Sequence, residues 1–146
     1  THTYDEDIEK VKIAKKAGLS VCSGGIMGLG EQMHHRIELA LLLRELDVDS
    51  VPINILNPIP KTPLADEPAL SPLEILLTIG IFRFILPDKD IRLCGGKERN
   101  LRQLLPLSVV AGCNSFMTGD YLTTTGGTSV NDLEMIRDLG LKAVLE

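Results

Sequence analysis

The residues best equipped for chemistry in this chain are few: Cys22, Cys94 and Cys113, Arg92, the asparagines Asn54, Asn57 and Asn114, and the pair His34 and His35. A cysteine thiolate is a soft ligand for iron or zinc, a guanidinium gathers anions, and an amide both donates and accepts. Arg92 and Cys94 stand two apart in DIRLCGG (90–96), the spacing that puts both side chains on one face of a strand. Cys22 opens another unusual run, VCSGGIMGLGE (21–31), in which an apolar stretch carries one cysteine and then Gly24, Gly25, Gly28 and Gly30. Glycine weakens a strand and is tolerated where a backbone passes close to something else. Plainer readings compete with each of these. Cys22 can be a small buried hydrophobe, Cys113 simple packing at a helix end, Arg92 an anion site, Asn54 a cap for a backbone group, and the histidines solvent-facing. Gly95-Gly96 and Gly126-Gly127 fit a phosphate cradle, although no Walker or dinucleotide pattern surrounds them.

Elements that alternate helix and strand must position these groups. DEDIEKVKIAKKAG (5–18) reads as a helix with Ile8, Val11, Ile13 and Ala14 inward and Gly18 as its stop. LSVCSGG (19–25) follows as the first strand. Glu31–Leu46 is a helix with Ile37, Ala40 and Leu41 on one face, and SVPINIL (50–56) is the second strand. A proline-punctuated loop (57–70) leads to Ser71-Pro72-Leu73-Glu74, an N-cap, a first-turn proline and a capping box for a helix to about Leu86. The third strand is DIRLCGG. ERNLRQLLPLSVVAG (98–112) is a helix kinked at Pro106, NSFMTGDYL (114–122) holds the fourth strand, and the last helix runs Val130–Leu139. Four strands separated by helices make a parallel sheet of βα units. A whole (β/α)8 barrel takes about 250 residues, so four units in 146 fit half of one. A small flavodoxin-like sheet is the rival. Either fold places chemistry at the C-terminal edge of the strands. In a barrel, strands one and three share lumen layers, so Cys22, Arg92 and Cys94 are expected in one layer and Asn54 in the next.

Bulk properties narrow the classes. Hydrophobic residues make up 44% and charged residues 24%, a globular balance. A net charge of -5 and only 3% aromatics argue against nucleic acid. The apolar run Ile75–Leu86 is too short for a bilayer and contains Arg83, so no membrane partner is expected. Three cysteines without framework spacing point away from a disulfide scaffold and toward the cytoplasm. Beginning at Thr1 beside a helix, the whole of 1–146 reads as one unit cut from something longer.

The runs THTY, GLSVCSGGIMGLGE, DSVPIN, TPL, the Arg92 stretch and GDYLTTTGG together resemble the C-terminal half of the biotin synthases, within the radical S-adenosylmethionine (SAM) superfamily. The resemblance covers nearly the whole chain and implies the C-terminal half of a TIM-type radical SAM barrel. It implies that Cys22 ligates an auxiliary [2Fe-2S] cluster that is the sulfur source, with Arg92 as its fourth ligand. It further implies that Gly24, Ile26 and Gly28 line the SAM adenine and that Asn54 hydrogen-bonds the ureido group of dethiobiotin. The implied reaction is sulfur insertion into dethiobiotin, driven by a radical that a [4Fe-4S] cluster generates from SAM. The ligands of that cluster lie outside this chain, so the fragment alone is expected to be inactive. Expected partners are dethiobiotin, the missing N-terminal half-barrel and a second copy in a homodimer. Two positions depart from the family. Asp7 replaces a common arginine that meets the SAM carboxylate, and Cys94 replaces a common serine, which makes Cys94 a rival to Arg92 for iron. The contrasting expectation is a stand-alone half-barrel that serves as a binding or assembly module without catalysis.

Overall fold

The computed structural model describes residues 3–119 and 128–144. Most of the GDYLTTTGG run, with Gly126-Gly127, lies outside them. Four parallel strands, β1 (Gly25–Met27), β2 (Ser50–Ile55), β3 (Asp90–Leu93) and β4 (Ser115–Phe116), form one sheet in the order β1-β2-β3-β4. That order separates the two expected folds. A flavodoxin-like sheet reverses direction at a switch point and carries helices on both faces, whereas a barrel adds each strand beside the last and keeps its helices outside. Here the strands follow chain order, and among the described residues the helices that follow β1 and β2 pack on the face that carries Val51, Ile53, Ile91 and Leu93. The fold is α/β, four βα units as expected of half a barrel.

The packed face is hydrocarbon. Met27, Val51, Ile53, Ile55, Ile91 and Leu93 are buried there with Ala40 and Leu43 of α2 (Met33–Glu45), and with Ile75, Ile79 and Phe82 of α3 (Pro72–Ile85). Helix α1 (Tyr4–Lys16) has no fully buried residue and rests on this core through Ile8, Val11 and Ala14, while Ile13 is exposed. The inward face of α2 also differs from expectation, because it is built on Arg36, Ala40 and Leu43 and leaves Leu41 outside.

Ser71 Oγ accepts the Glu74 N–H at 3.2 Å and starts α3. The Glu74 carboxylate does not turn back to complete a box. It reaches Arg36 of α2 instead, at 2.9 Å. At the other end of α3, Arg83 fastens three segments. Its Nε donates to Gly112 O, its Nη1 to Leu86 O, Pro87 O and Lys89 O, and its Nη2 to Asn114 Oδ1, all between 2.9 and 3.0 Å.

Two expected elements are corrected. The first strand lies further along than 19–25: regular pairing covers Gly25–Met27, and Cys22 takes part through a single parallel bridge to Ser50. Between them a methyl group on Gly24 would lie 2.1 Å from the Pro52 carbonyl oxygen, so the ladder closes to a spacing that only glycine permits. The expected kinked helix over 98–112 is three pieces, α4 (Lys97–Leu101), a 3-10 turn (Arg102–Leu104) and α5 (Leu107–Ala111). Arg102 takes φ of 52°, outside any right-handed helix, and Pro106 becomes the cap of α5 rather than a kink within one helix. Helix α6 (Ser129–Asp138) closes the described chain, its N-terminus capped by Thr128 Oγ1.

Candidate functional site

The candidate residues gather on the face of the sheet opposite the hydrocarbon core. Pairing sets Cys22 beside Ser50 and Ser50 beside Asp90. It also sets Ile26 beside Asn54, and Pro52 beside Arg92 beside Ser115. Side chains alternate along a strand, so Cys22 and Ile26, Ser50 and Asn54, Arg92 and Cys94, and Ser115 all stand on this one face. Val51, Ile53, Ile91 and Leu93 take the opposite face into the core.

The segment bearing Cys22 is held on both sides. Val21 N–H donates to Asp49 Oδ2 at 2.7 Å and Ser23 N–H to Ser50 O at 3.0 Å. The Val21 N–H and the Lys15 ammonium keep the Asp49 carboxyl below its usual range. Cys22 itself is exposed, and Ser50 Oγ beside it is buried with no hydrogen-bond partner among the described residues. On β3 the Arg92 guanidinium donates through Nε to Ser115 Oγ at 3.1 Å. Cys94 is 2% exposed. Burial pushes its thiol up and the nearby Cys22 adds to this, while Arg92 and Lys97 oppose it. Cys94 therefore lies within electrostatic reach of both Cys22 and Arg92.

Along the ladder Cys22 is level with Asp90 through Ser50, Arg92 stands two residues further along β3, and Cys94 two beyond that.

Asn54 Oδ1 accepts the Gly95 N–H at 3.0 Å. That bond fixes which end of the amide is which, so the NH2 group faces away from Gly95. It also spends the N–H that a phosphate at Gly95-Gly96 would need. Gly96 has its own reason for being glycine: at φ of 85°, an added methyl would sit 2.1 Å from Ile55 O, where α4 crosses the end of β2. The phosphate cradle at this pair is set aside.

The remaining candidates resolve as follows. Ile26 is 50% exposed on the open face. Gly28, with φ of 94°, and Leu29 both donate their N–H groups to the Glu31 carboxylate. Asp7 points to solvent on α1 and pairs with Lys10 at 3.1 Å, so its charge is answered locally. Asn57 receives Asn100 Nδ2 at 2.9 Å, and Asn114 bridges Arg83, Ile91 N–H and Asp90, so both serve the scaffold. Cys113 is buried, its thiol raised by that burial to about 11. His34 and His35 are exposed, and His35 Nδ1 caps Gln32 N–H.

Sequence reasoning passed over Ser50, Arg36 and Lys97. Ser50 was legible, since it shares strand parity with Asn54. Arg36 and Lys97 were not, because both are buried charges and charge ordinarily signals a solvated face.

The donor set suits an iron–sulfur group: two thiols and a guanidinium converge on an open face beside an orphaned buried hydroxyl. Among the described residues no three His, Cys, Asp or Glu side chains gather as a metal cage, and no helix is long and apolar enough to cross a membrane.

Known proteins resemble this chain in sequence and in fold. The Biotin and Thiamin Synthesis associated domain matches residues 52–142. Biotin synthase of Carboxydothermus hydrogenoformans is 60% identical over 142 residues, covering 97% of this chain and 44% of that protein. The Geobacter sulfurreducens biotin synthase is 57% identical over 141 residues, 97% of this chain and 43% of that one. The chain corresponds to the C-terminal part of these relatives and spans less than half their length. In fold alone, the crystal structure of methylornithine synthase is similar with a TM-score of 0.77 at 20% identity, covering 99% of this chain and 46% of that one. The lyase for HMG-CoA from Brucella melitensis is similar with a TM-score of 0.64 at 15% identity, covering 99% of this chain and 55% of that one.

Proposed function

Since this chain belongs to the Biotin and Thiamin Synthesis associated domain family, we propose that it is the C-terminal half-barrel of a biotin-forming sulfur-insertion enzyme and supplies auxiliary-cluster, adenine and substrate contacts. One observation carries the reading. Cys22, Ile26, Asn54 and Arg92, expected to meet a cluster, an adenine and a ureido group, stand on a single face of the sheet, opposite the buried Val51, Ile53, Ile91 and Leu93.

When bound, an auxiliary [2Fe-2S] cluster would supply sulfur, and SAM with a [4Fe-4S] cluster held elsewhere would supply the radical. The work of this chain is to bind and orient. Cys22 offers a thiolate on an exposed, firmly tethered segment. Arg92, steadied by Ser115, brings a positive charge to the same face, where it offsets the negative charge of a thiolate-bound cluster. A protonated guanidinium offers no lone pair, so ligation by Arg92 would require it to give up a proton at the cluster. Cys94 can offer a thiolate, at the cost of losing a proton that burial holds on, as metal binding commonly demands. Ile26 presents a bare apolar surface for a flat ring, with Gly24 and Gly28 keeping the backbone on either side free of side chains. Asn54, its oxygen taken by Gly95, presents its NH2 to a carbonyl such as that of a ureido group.

The test is a chimera in which this chain replaces the matching C-terminal part of the Carboxydothermus hydrogenoformans enzyme. After anaerobic loading with iron and sulfide, the parent chimera should convert dethiobiotin to biotin. Cys22→Ala should lose the auxiliary iron and the turnover while keeping the [4Fe-4S] signal. Cys94→Ser should shift the auxiliary spectrum if Cys94 ligates and leave it unmoved if Arg92 does. A Cys22→Ala chimera with full iron content and turnover would sink the reading.

A further inference from the structure

Arg36 is 1% exposed, among the most buried large side chains in the chain, and nothing in the site described above uses it directly. Its Nε donates to Glu31 Oε1 at 2.7 Å, and its Nη1 donates to Glu74 Oε1 at 2.9 Å and to Thr78 Oγ1 at 3.3 Å. Thr78 is held in turn by the Glu74 carbonyl at 2.9 Å. One guanidinium therefore joins α2, the start of α3 and the turn after β1. Its Nη2 is buried without a partner among the described residues. An unpaired buried N–H is destabilising, and a Leu or Met at this point of α2 would bury its surface without that cost. Packing alone does not account for the arginine.

What the arginine accomplishes is visible on the far side of Glu31. The same carboxylate accepts Gly28 N–H at 2.8 and 3.0 Å through its two oxygens, and Leu29 N–H at 2.6 Å. Burial by itself would raise the Glu31 carboxyl, but the Gly28 N–H, Arg36 and the Leu29 N–H together hold it below its usual range. A lone carboxylate on a mobile turn would not keep one orientation. With Arg36 anchored to α3 through Glu74, Glu31 is fixed, and with it the path of the backbone leaving Ile26.

We infer that Arg36 is a positioning residue for the adenine contact: through Glu31 it sets the Gly28-Leu29 turn that aims Ile26 and the adjoining backbone at the ring. This rests on the reading of Ile26 and Gly28 as an adenine surface. A planar fork that can engage two carboxylates on separate elements is what the task requires, and the point charge of a lysine would not reproduce it.

The experiment uses the chimeric enzyme with Arg36→Lys and, separately, Glu31→Gln. Hydrogen–deuterium exchange over the peptide containing Gly28 and Leu29 reads the turn without SAM. Equilibrium binding of SAM, and KM against kcat, read its consequence. In Arg36→Lys, exchange at these two amides should quicken and SAM binding should weaken, each by about ten-fold. At saturating SAM, kcat should stay within about two-fold, because the reacting groups are untouched. Glu31→Gln, which keeps the side-chain shape, should move both readouts the same way and by less; it stands alone if the lysine variant does not fold. Unchanged exchange in the folded variants overturns the inference. Faster exchange with unchanged SAM affinity also overturns it, while leaving the adenine surface intact. Failure of the parent chimera to bind SAM at all overturns the adenine reading, and the inference with it.

Discussion

The two faces of this sheet are made by alternate residues of the same strands, yet they obey different rules. On one, Val51, Ile53, Ile91 and Leu93 press into α2 and α3 with no polar atom among them. On the other, Cys22, Ser50, Asn54, Arg92 and Ser115 stand where a barrel of ordinary composition would place Val, Ile and Leu. Stability lives on the first face, and the proposed chemistry on the second. The backbone they share means that positions are set by the hydrocarbon side and used on the polar side.

The contrast breaks if the two faces respond alike to truncation. Ile53→Ala should lose about 2–5 kcal/mol by chemical denaturation, since the side chain is fully buried between helices and sheet. Cys22→Ala, on the opposite face, should stay within about 0.5 kcal/mol of the parent because the side chain is exposed. Equal losses from the two would show that the open face is structural after all. The seam between the faces gives the next effect in size. Gly96→Ala must relieve both an unfavourable φ and the approach of α4 to Ile55 O, and should destabilise by about 1–3 kcal/mol; an unchanged denaturation midpoint would mean that α4 is free to lift. The smallest effect is a pH dependence at the turn after β1. The Glu31 carboxyl lies below its ordinary value of 4.5 when folded, so its contribution is present above that value and drains away as pH falls through the lowered one. Exchange at Gly28 and Leu29 should quicken there before the Ile53 amide does, and simultaneous loosening would erase the distinction.

Much of the packed face was legible in advance. The alternation in SVPINIL, the Ser71-Pro72 start of α3 and the four βα units follow from period and capping, and they are where the residues put them. The break of 98–112 was not legible, because a proline can either kink a helix or cap a new one, and the choice depends on how Leu101 and Arg102 meet the core. On the open face, types and parity picked out Cys22, Arg92, Cys94 and Asn54, but how far along the ladder each stands was beyond them. That depends on strand register, which no single strand encodes. Buried Arg36 was missed for a related reason: its two carboxylate partners, Glu31 and Glu74, lie on different elements, and only the packing of α2 on α3 brings them together.

The Arg83 junction sets a different expectation for harsh conditions. A guanidinium cannot be discharged at any pH at which the chain survives, and four of its five acceptors are peptide oxygens that carry no titratable proton. Acid has nothing to neutralise within that cluster. The rear of the molecule, where α3 hands over to β3 and β4, thus keeps one rivet blind to proton concentration even where acid discharges the neighbouring Asp47 and Asp49 carboxylates that pair with Lys89 and Lys15, whereas the mouth is latched by the Glu31 carboxylate.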